Sequence, residues 1–121
     1  MSGRVLVAED DPGIQAVVSE FLRDEGLEVA VANDGAEALR LARAAPPDVA
    51  VVDVFMPVMD GRALLATWTR DQSLKGIPVV VMSAAANLKA LAEEFHVQAT
   101  LRKPFDLNAL GSIVQSLLVE S

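Results

Sequence analysis

A small set of polar side chains in this sequence could do chemistry, because each closes or directly follows a short apolar run. They are Glu9, Asp10, Asp11, Asp53, Ser83 and Lys103. Carboxylates that meet in one crevice repel each other, so such a group is stable only where a cation neutralises it. Their oxygen ligands suit a hard cation, and Mg²⁺ fits best.

Asp53 has the surroundings expected of a phosphoryl acceptor. It closes an apolar run, where burial of an unpaired carboxylate is unfavourable, and Lys103 would supply a compensating positive charge. Mg²⁺ and a lysine offset the charge on the equatorial phosphoryl oxygens while a carboxylate attacks in line. A single carboxylate at a strand end more often caps the next helix, so this prediction depends on the residues acting together.

Five short runs rich in β-branched residues predict five strands. They are Arg4–Ala8, Glu28–Ala32, Val49–Asp53, Val79–Ser83 and Ala99–Arg102. The segments between and after them have apolar residues at three- and four-residue spacing, which indicates helices. Strict alternation of strand and helix predicts a parallel sheet with helices on both faces.

The third run, Val49–Asp53, is apolar on both faces, as expected of a central strand. Ligands of open α/β sheets bind beyond the carboxyl ends of the strands, near the point where strand order reverses. We therefore expect the polar side chains to share one edge of the sheet. A chain of 121 residues has the size of one domain, so we expect residues 1–121 to fold as a single unit.

The composition excludes several classes of function. The chain has no cysteine, which excludes disulfides and thiol catalysis. Its formal net charge is -7 and nothing resembles a Lys/Arg-rich face, so we predict no direct binding to nucleic acid. No stretch approaches the ~20 consecutive apolar residues of a membrane span, and the N-terminus lacks signal-peptide architecture. We predict a cytoplasmic protein without membrane insertion.

Four segments of the sequence resemble the receiver domain of two-component response regulators. They are Val5–Asp11, Val51–Gly61, Val79–Ala84 and Lys103–Phe105. The pattern D-x-x-M-P-x-M-D-G from Asp53 to Gly61, with K-P-F downstream, is highly specific in combination. The resemblance covers the whole chain and implies one receiver domain over residues 1–121. Its fold would be a doubly wound (βα)5 flavodoxin-like sandwich, with a five-stranded parallel sheet in strand order 2-1-3-4-5.

The resemblance also implies roles for the acidic residues. Asp53 would accept the phosphoryl group, and Asp10, Asp53 and the backbone carbonyl of Phe55 would bind Mg²⁺ directly. Glu9 would act on the metal mainly through a bound water. Asp11, which follows the acidic pair, would instead cap the next helix.

Further residues would surround the phosphoryl group or report on it. Ser83 would hydrogen-bond a phosphoryl oxygen, Ala84 would keep the approach open, and Lys103 would form an ion pair with the phosphoryl group. The Lys103–Pro104 peptide bond is expected to be cis. The family commonly has an aromatic reporter of phosphorylation three positions before the lysine, where this chain has Thr100. Thr100 either belongs to a modified switch or only tolerates a half-exposed edge strand, and the sequence leaves both open.

The leading prediction is a phosphorylation-dependent signalling switch. It would assist its own phosphorylation and dephosphorylation without being an enzyme, with a sensor histidine kinase or phosphotransfer protein as donor and an unknown output protein or domain. One alternative is a Mg²⁺-dependent phosphohydrolase of the haloacid dehalogenase type. That family has a general acid/base aspartate at the position of Phe55, which cannot transfer protons. The other alternative is a protein-binding module that has the receiver fold but does not use phosphorylation. The presence of Asp10, Asp53, Ser83 and Lys103 argues against it.

Overall fold

The computed structural model describes residues 3–84 and 88–120, in which five strands alternate with five helices. The strands are β1 (Arg4–Ala8), β2 (Glu28–Ala32), β3 (Val49–Asp53), β4 (Val79–Ser83) and β5 (Ala99–Arg102). The helices are α1 (Pro12–Asp24), α2 (Gly35–Ala44), α3 (Gly61–Trp68), α4 (Leu88–Phe95) and α5 (Leu107–Glu120). The strand bounds coincide with the five predicted runs.

All five strands are parallel and form one sheet in the order β2-β1-β3-β4-β5. The predicted fold class and strand order are confirmed. β3 lies at the centre and all its residues are buried, which explains why its sequence is apolar on both faces. Strand order reverses between β1 and β3. The crevice expected to bind ligands therefore lies over the carboxyl ends of these two strands.

Alternate residues of the inner strands pack into two separate apolar layers. In β1, Leu6 and Ala8 join the layer that includes side chains of α2, α3 and α4. Val5 and Val7 join the opposite layer, which includes side chains of α1 and α5. This division follows from the two-residue period of a strand. The helices therefore cover both faces of the sheet.

Aspartate side chains cap α1, α2 and α3 at the carboxyl edge of the sheet. Asp11 accepts hydrogen bonds from the backbone N–H groups of Gly13 and Ile14. The side chains of Asp34 and Asp60 likewise accept a hydrogen bond from the backbone N–H of the residue three positions later in the chain. The prediction that Asp11 is a helix N-cap is confirmed. These caps determine where each helix begins relative to the strand that precedes it.

Gly61 joins α3 to the strand end that carries Asp53. Its N–H donates to the carbonyl oxygen of Val54 at 2.7 Å. A Cβ at this position would overlap the carbonyl oxygen of Asp53 and lie 2.6 Å from the Cα of Val54. Only glycine lets α3 approach this backbone so closely. Packing therefore explains the last residue of the D-x-x-M-P-x-M-D-G pattern.

We expect Gly61→Ala to lower the free energy of unfolding by about 3 kcal/mol, because the added methyl group meets backbone atoms that cannot move aside. Urea denaturation at neutral pH would measure the change. Gly76→Ala is the matched control, because a Cβ there meets no atom within 4 Å. Equal stability of the two variants would contradict this account of Gly61.

Candidate functional site

The ends of β1, β3 and β4 and the start of the loop after β5 bring the predicted site residues to one edge of the sheet. Asp53 closes β3 and is 4% exposed, and Ser83 closes β4 and is fully buried. Glu9 follows β1 and is also fully buried, whereas Asp10 beside it is exposed. The side chain of Lys103 reaches Glu9 and Asp53. Residues spread over most of the chain therefore meet in one crevice.

Lys103 is positioned by its backbone as well as by its charge. Its N–H donates to the carbonyl oxygen of Ser83 at 2.9 Å, which aligns the end of β5 with the end of β4. Its Nζ lies 2.6 Å from Oε1 of Glu9 and 3.4 Å from Oδ2 of Asp53. The Lys103–Pro104 peptide bond is cis, the conformation that the resemblance implies. One ammonium group therefore bridges carboxylates at the ends of two strands.

Glu9, Asp10 and Asp53 form a group that fits a divalent metal ion. Each offers a carboxylate oxygen, and these oxygens lie within 4.8 Å of one another. An all-oxygen donor set suits Mg²⁺, which takes one or two carboxylates and keeps several waters. Asp10 is exposed to solvent, so this side of the group is open to such waters. The backbone carbonyl of Phe55 as a further ligand stays a prediction.

Burial and charge shift the pKa values of Glu9 and Lys103 in the same direction. Burial raises the pKa of Glu9, the hydrogen bond from Lys103 offsets part of this effect, and the charge of Asp53 adds to it. Burial lowers the pKa of Lys103, but its hydrogen bond to Glu9 and the attraction of Asp53 outweigh burial, so the pKa is raised. Lys103 therefore stays protonated, and this one cation leaves the carboxylates incompletely compensated.

Some contacts of the site were not foreseen from the sequence. Glu9 was expected to act through water, whereas here it also pairs directly with Lys103, which is 94 residues away. Gln15 donates to the carbonyl oxygen of Glu9 at 2.7 Å and to Oδ1 of Asn33 at 2.9 Å. Neither Gln15 nor Asn33 belongs to a motif. The one available signal was that Asn33 directly follows β2 and that Gln15 lies in the first turns of α1, the helix that follows β1.

Ala84, Phe55 and Thr100 are the other residues to which the sequence predicts a role. Ala84 is exposed and lines an apolar groove beside Lys103. Phe55 is 65% exposed. Thr100 is half-buried in β5, paired in register with Val81 of β4. The roles given to these three residues stay predictions.

The sequence is similar to receiver domains of signalling proteins. The family model described as the response regulator receiver domain matches residues 5–115. The transcriptional regulatory protein PrrA of Mycobacterium tuberculosis is 40% identical over 124 residues, which cover 97% of this chain and 50% of PrrA. The sensor histidine kinase TmoS of Ectopseudomonas mendocina is 37% identical over 119 residues, which cover 95% of this chain and 12% of TmoS.

The structure is similar to that of the chemotaxis response regulator CheY4 of Vibrio cholerae. The two share a TM-score of 0.89 and 32% sequence identity, with 98% of this chain and 100% of the CheY4 chain covered. The chain thus spans about half the length of PrrA but the whole of CheY4. Within residues 3–84 and 88–120, no helix has the length and apolar character needed to cross a membrane.

In metal-free protein, we expect the change in stability caused by Glu9→Gln to be more favourable at pH 8 than at pH 5. A raised pKa means that folding disfavours ionised Glu9. This unfavourable contribution is absent below the ordinary value of 4.5, grows as pH rises from there towards the raised pKa, and is fully present above the raised pKa. Thermal melts in EDTA at both pH values would measure it, with exposed Glu20→Gln as the control for losing one negative charge. A change in melting temperature that is equal at both pH values would contradict the expectation.

Proposed function

Because this chain belongs to the response regulator receiver family, whose standard function is phosphorylation-based switching in two-component systems, we propose that Asp53 is its phospho-acceptor. One observation carries this proposal. The buried carboxylate of Asp53 lies 3.4 Å from the ammonium group of Lys103 and shares a possible metal site with Glu9 and Asp10. The donor is a phosphohistidine of a sensor histidine kinase or of a phosphotransfer protein.

In the proposed reaction, a carboxylate oxygen of Asp53 attacks the phosphorus of the donor in line with the bond that breaks. The new O–P bond makes an aspartyl-phosphate, and the histidine nitrogen leaves with the electron pair of the broken N–P bond. Negative charge on the equatorial oxygens is offset by Lys103, which already contacts Asp53. Ser83, buried at the end of the neighbouring strand, would donate a hydrogen bond to one of these oxygens.

We propose that Asp10 and Asp53 hold Mg²⁺ directly, with the backbone carbonyl of Phe55 as a further ligand. The carboxylate oxygens within 4.8 Å of one another support a divalent cation here. When bound, Mg²⁺ supplies positive charge to the phosphoryl oxygens. Glu9 would act through a water, because its Oε1 is already bound to Lys103 at 2.6 Å.

The phosphorylated state would be reported through the surface formed by α4, β5 and α5. The ammonium group of Lys103 is shared between Glu9 and Asp53. A phosphoryl group on Asp53 would attract this ammonium group and so move the loop that carries Lys103. Ala84 is exposed and leaves the approach to the phosphoryl group open. Thr100 stands in β5 where the family commonly has an aromatic residue. The change at this surface should therefore be smaller than in receivers that have the aromatic residue.

An apolar groove beside the site supports a protein as the donor. It has a volume of about 770 Å³ and lies between the start of α1 and the start of α5, next to Lys103. Its apolar walls include Ile14, Val17, Pro104, Phe105 and Leu107. A phosphohistidine reaches Asp53 as part of a protein, and this groove gives that protein apolar surface to bury.

The cellular setting is also a proposal. We propose that residues 1–121 act in the cytoplasm as a single receiver domain, without membrane insertion and without direct contact to nucleic acid. The net charge of -7 supports the last point, because it repels a phosphate backbone. The output partner is a protein or domain that reads the phosphorylated surface. The chain covers 50% of PrrA and 12% of TmoS, so the activities of their other parts are not assigned to it.

Two alternatives are less well supported. A phosphohydrolase of the haloacid dehalogenase type would need a proton-transferring side chain two residues after Asp53, where Phe55 has none. The receiver family is regulatory and not classically enzymatic. A binding module that ignores phosphorylation would have no use for a cluster of carboxylates whose burial is unfavourable.

Acetyl phosphate with Mg²⁺ should add one phosphoryl group to the wild-type chain and none to Asp53→Asn, because the amide lacks a nucleophilic carboxylate oxygen. Excess EDTA should abolish the labelling, and intact-mass spectrometry would measure both effects. Asp71→Asn, far from the site in the α3–β4 connection, is the control and should label like wild type. A phosphoryl mass on Asp53→Asn, or full labelling in EDTA, would overturn the proposal. Rapid release of many phosphate equivalents would favour the phosphohydrolase instead.

Lys103→Met should still be labelled at saturating Mg²⁺ but should respond less to labelling. We expect beryllofluoride, a phosphoryl mimic, to change amide exchange over residues 88–105 by roughly half or less of the wild-type effect, because the cation that links Asp53 to the loop after β5 is gone. Hydrogen exchange with mass spectrometry would measure this. Lys75→Met, an exposed lysine in the α3–β4 connection, is the control. A full response in Lys103→Met would show that the lysine has no part in switching.

A further inference from the structure

Gln15 lies in the first turns of α1 and bridges two strand ends. Its Nε2 donates to the carbonyl oxygen of Glu9 at 2.7 Å and to Oδ1 of Asn33 at 2.9 Å. Glu9 follows β1 and Asn33 follows β2, so one amide group joins two adjacent loops at the edge of the site. Both N–H bonds of this amide are engaged, which determines the direction of the side chain.

Glu9 is held at each of its polar atoms. Its N–H donates to a carbonyl oxygen of β2 at 3.0 Å, Oε1 accepts from Lys103 at 2.6 Å, and Oε2 accepts from the N–H of Asp11 at 3.2 Å. Gln15 binds the carbonyl oxygen, which completes the set. That carbonyl belongs to the rigid peptide unit that joins Glu9 to Asp10. The hydrogen bond from Gln15 therefore determines the position from which Asp10 extends.

Asn33 is held in turn from the far side. Oε1 of Glu37 accepts from the backbone N–H of Asn33 at 2.9 Å and from its Nδ2 at 3.2 Å. Glu37 lies in the first turn of α2, and its own N–H donates to the capping side chain of Asp34. A continuous chain of hydrogen bonds thus leads from α2 through Asn33 and Gln15 to the carbonyl of Glu9.

We propose that Gln15 is a positioning residue for the metal site, which holds the Glu9–Asp10 peptide unit so that the carboxylate of Asp10 faces Asp53. This inference rests on the proposed function, because that function assigns Asp10 to Mg²⁺. Asp10 is exposed, so burial does not hold its side chain in place. Residues that orient a metal ligand in this way change metal affinity by roughly 10–100-fold when they are replaced.

The fold itself does not depend on this glutamine. α1 is capped by Asp11 and buries Val18 and Leu22 against the sheet. The side chain of Gln15 is only half-buried. A substitution that removes its hydrogen bonds should therefore leave the helix in place and act on the loop that carries Asp10.

Gln15→Met removes both N–H donors and keeps the approximate length of the side chain. We expect the dissociation constant for Mg²⁺ to rise about tenfold, and the Mg²⁺ concentration for half-maximal labelling by acetyl phosphate to rise by the same factor. The labelling rate at saturating Mg²⁺ should stay at the wild-type value, because Gln15 acts through Glu9 and not on Asp53, and the melting temperature in EDTA should fall by only about 4 °C, because two hydrogen bonds are lost while the helix stays in place. Replacing a residue needed only for folding would not weaken Mg²⁺ binding selectively while leaving the labelling rate at saturating Mg²⁺ unchanged.

Gln115→Met, on the exposed side of α5, is the matched control and should change none of these quantities. Asn33→Ala removes the acceptor that orients the amide of Gln15 and should raise the dissociation constant about threefold. This second variant also carries the test if Gln15→Met does not fold.

The affinity is measured by calorimetric titration of metal-free protein with Mg²⁺ alone. A wild type that binds Mg²⁺ but is not labelled would therefore overturn the proposed function without deciding the part played by Gln15. Unchanged Mg²⁺ affinity in Asn33→Ala and in folded Gln15→Met would overturn this inference. A loss of labelling rate at saturating Mg²⁺ would also contradict it, because it would place Gln15 in the reaction itself.

Discussion

The ion pair between Glu9 and Lys103, 2.6 Å from Oε1 to Nζ, is the contact on which the carboxyl edge of the sheet depends. A carboxylate buried without a cation is strongly unfavourable, and Glu9 is fully buried. In the sheet, β3 and β4 separate β1 from β5. The pair forms because the backbone of Lys103 is held at the end of β4 and its side chain extends past Asp53, at the end of β3, to Glu9. That path places Lys103 3.4 Å from Asp53.

The same contact couples the chemistry of the site to its surroundings. Lys103 pairs with Glu9 and Asp53, and the carboxylate of Asp10 lies close to both, so the cluster attracts further positive charge, which a divalent metal ion can supply. In the proposed switch, phosphorylation of Asp53 adds anionic oxygens that compete with Glu9 for Lys103. Because this lysine begins the connection to α5, a change of partner for its ammonium group would also change the loop that carries it.

α4 is weakly anchored and therefore suits the output side of such a switch. It buries two leucines, Leu88 and Leu91. α3 has the same length of 8 residues but buries a tryptophan in addition to two leucines. Near its end, Glu94 pairs with Arg62 of α3 at 2.6 Å, and Phe95 lies under the same guanidinium at 5.3 Å. Contacts of this exposed kind contribute little free energy. With few buried apolar side chains, α4 can move at a small cost when the ends of β4 and β5 change.

The sequence by itself determined the strands, the fold class and the capping role of Asp11. Apolar periodicity and helix capping depend on residues that are only a few positions apart in the sequence. It also placed Asp53 and Lys103 at one edge, because parallel strands end on the same side. Only the tertiary structure decided that Glu9 pairs with Lys103 and that Gln15 holds its carbonyl. The two charged residues are 94 positions apart, and contacts at such separation depend on how the whole sheet packs.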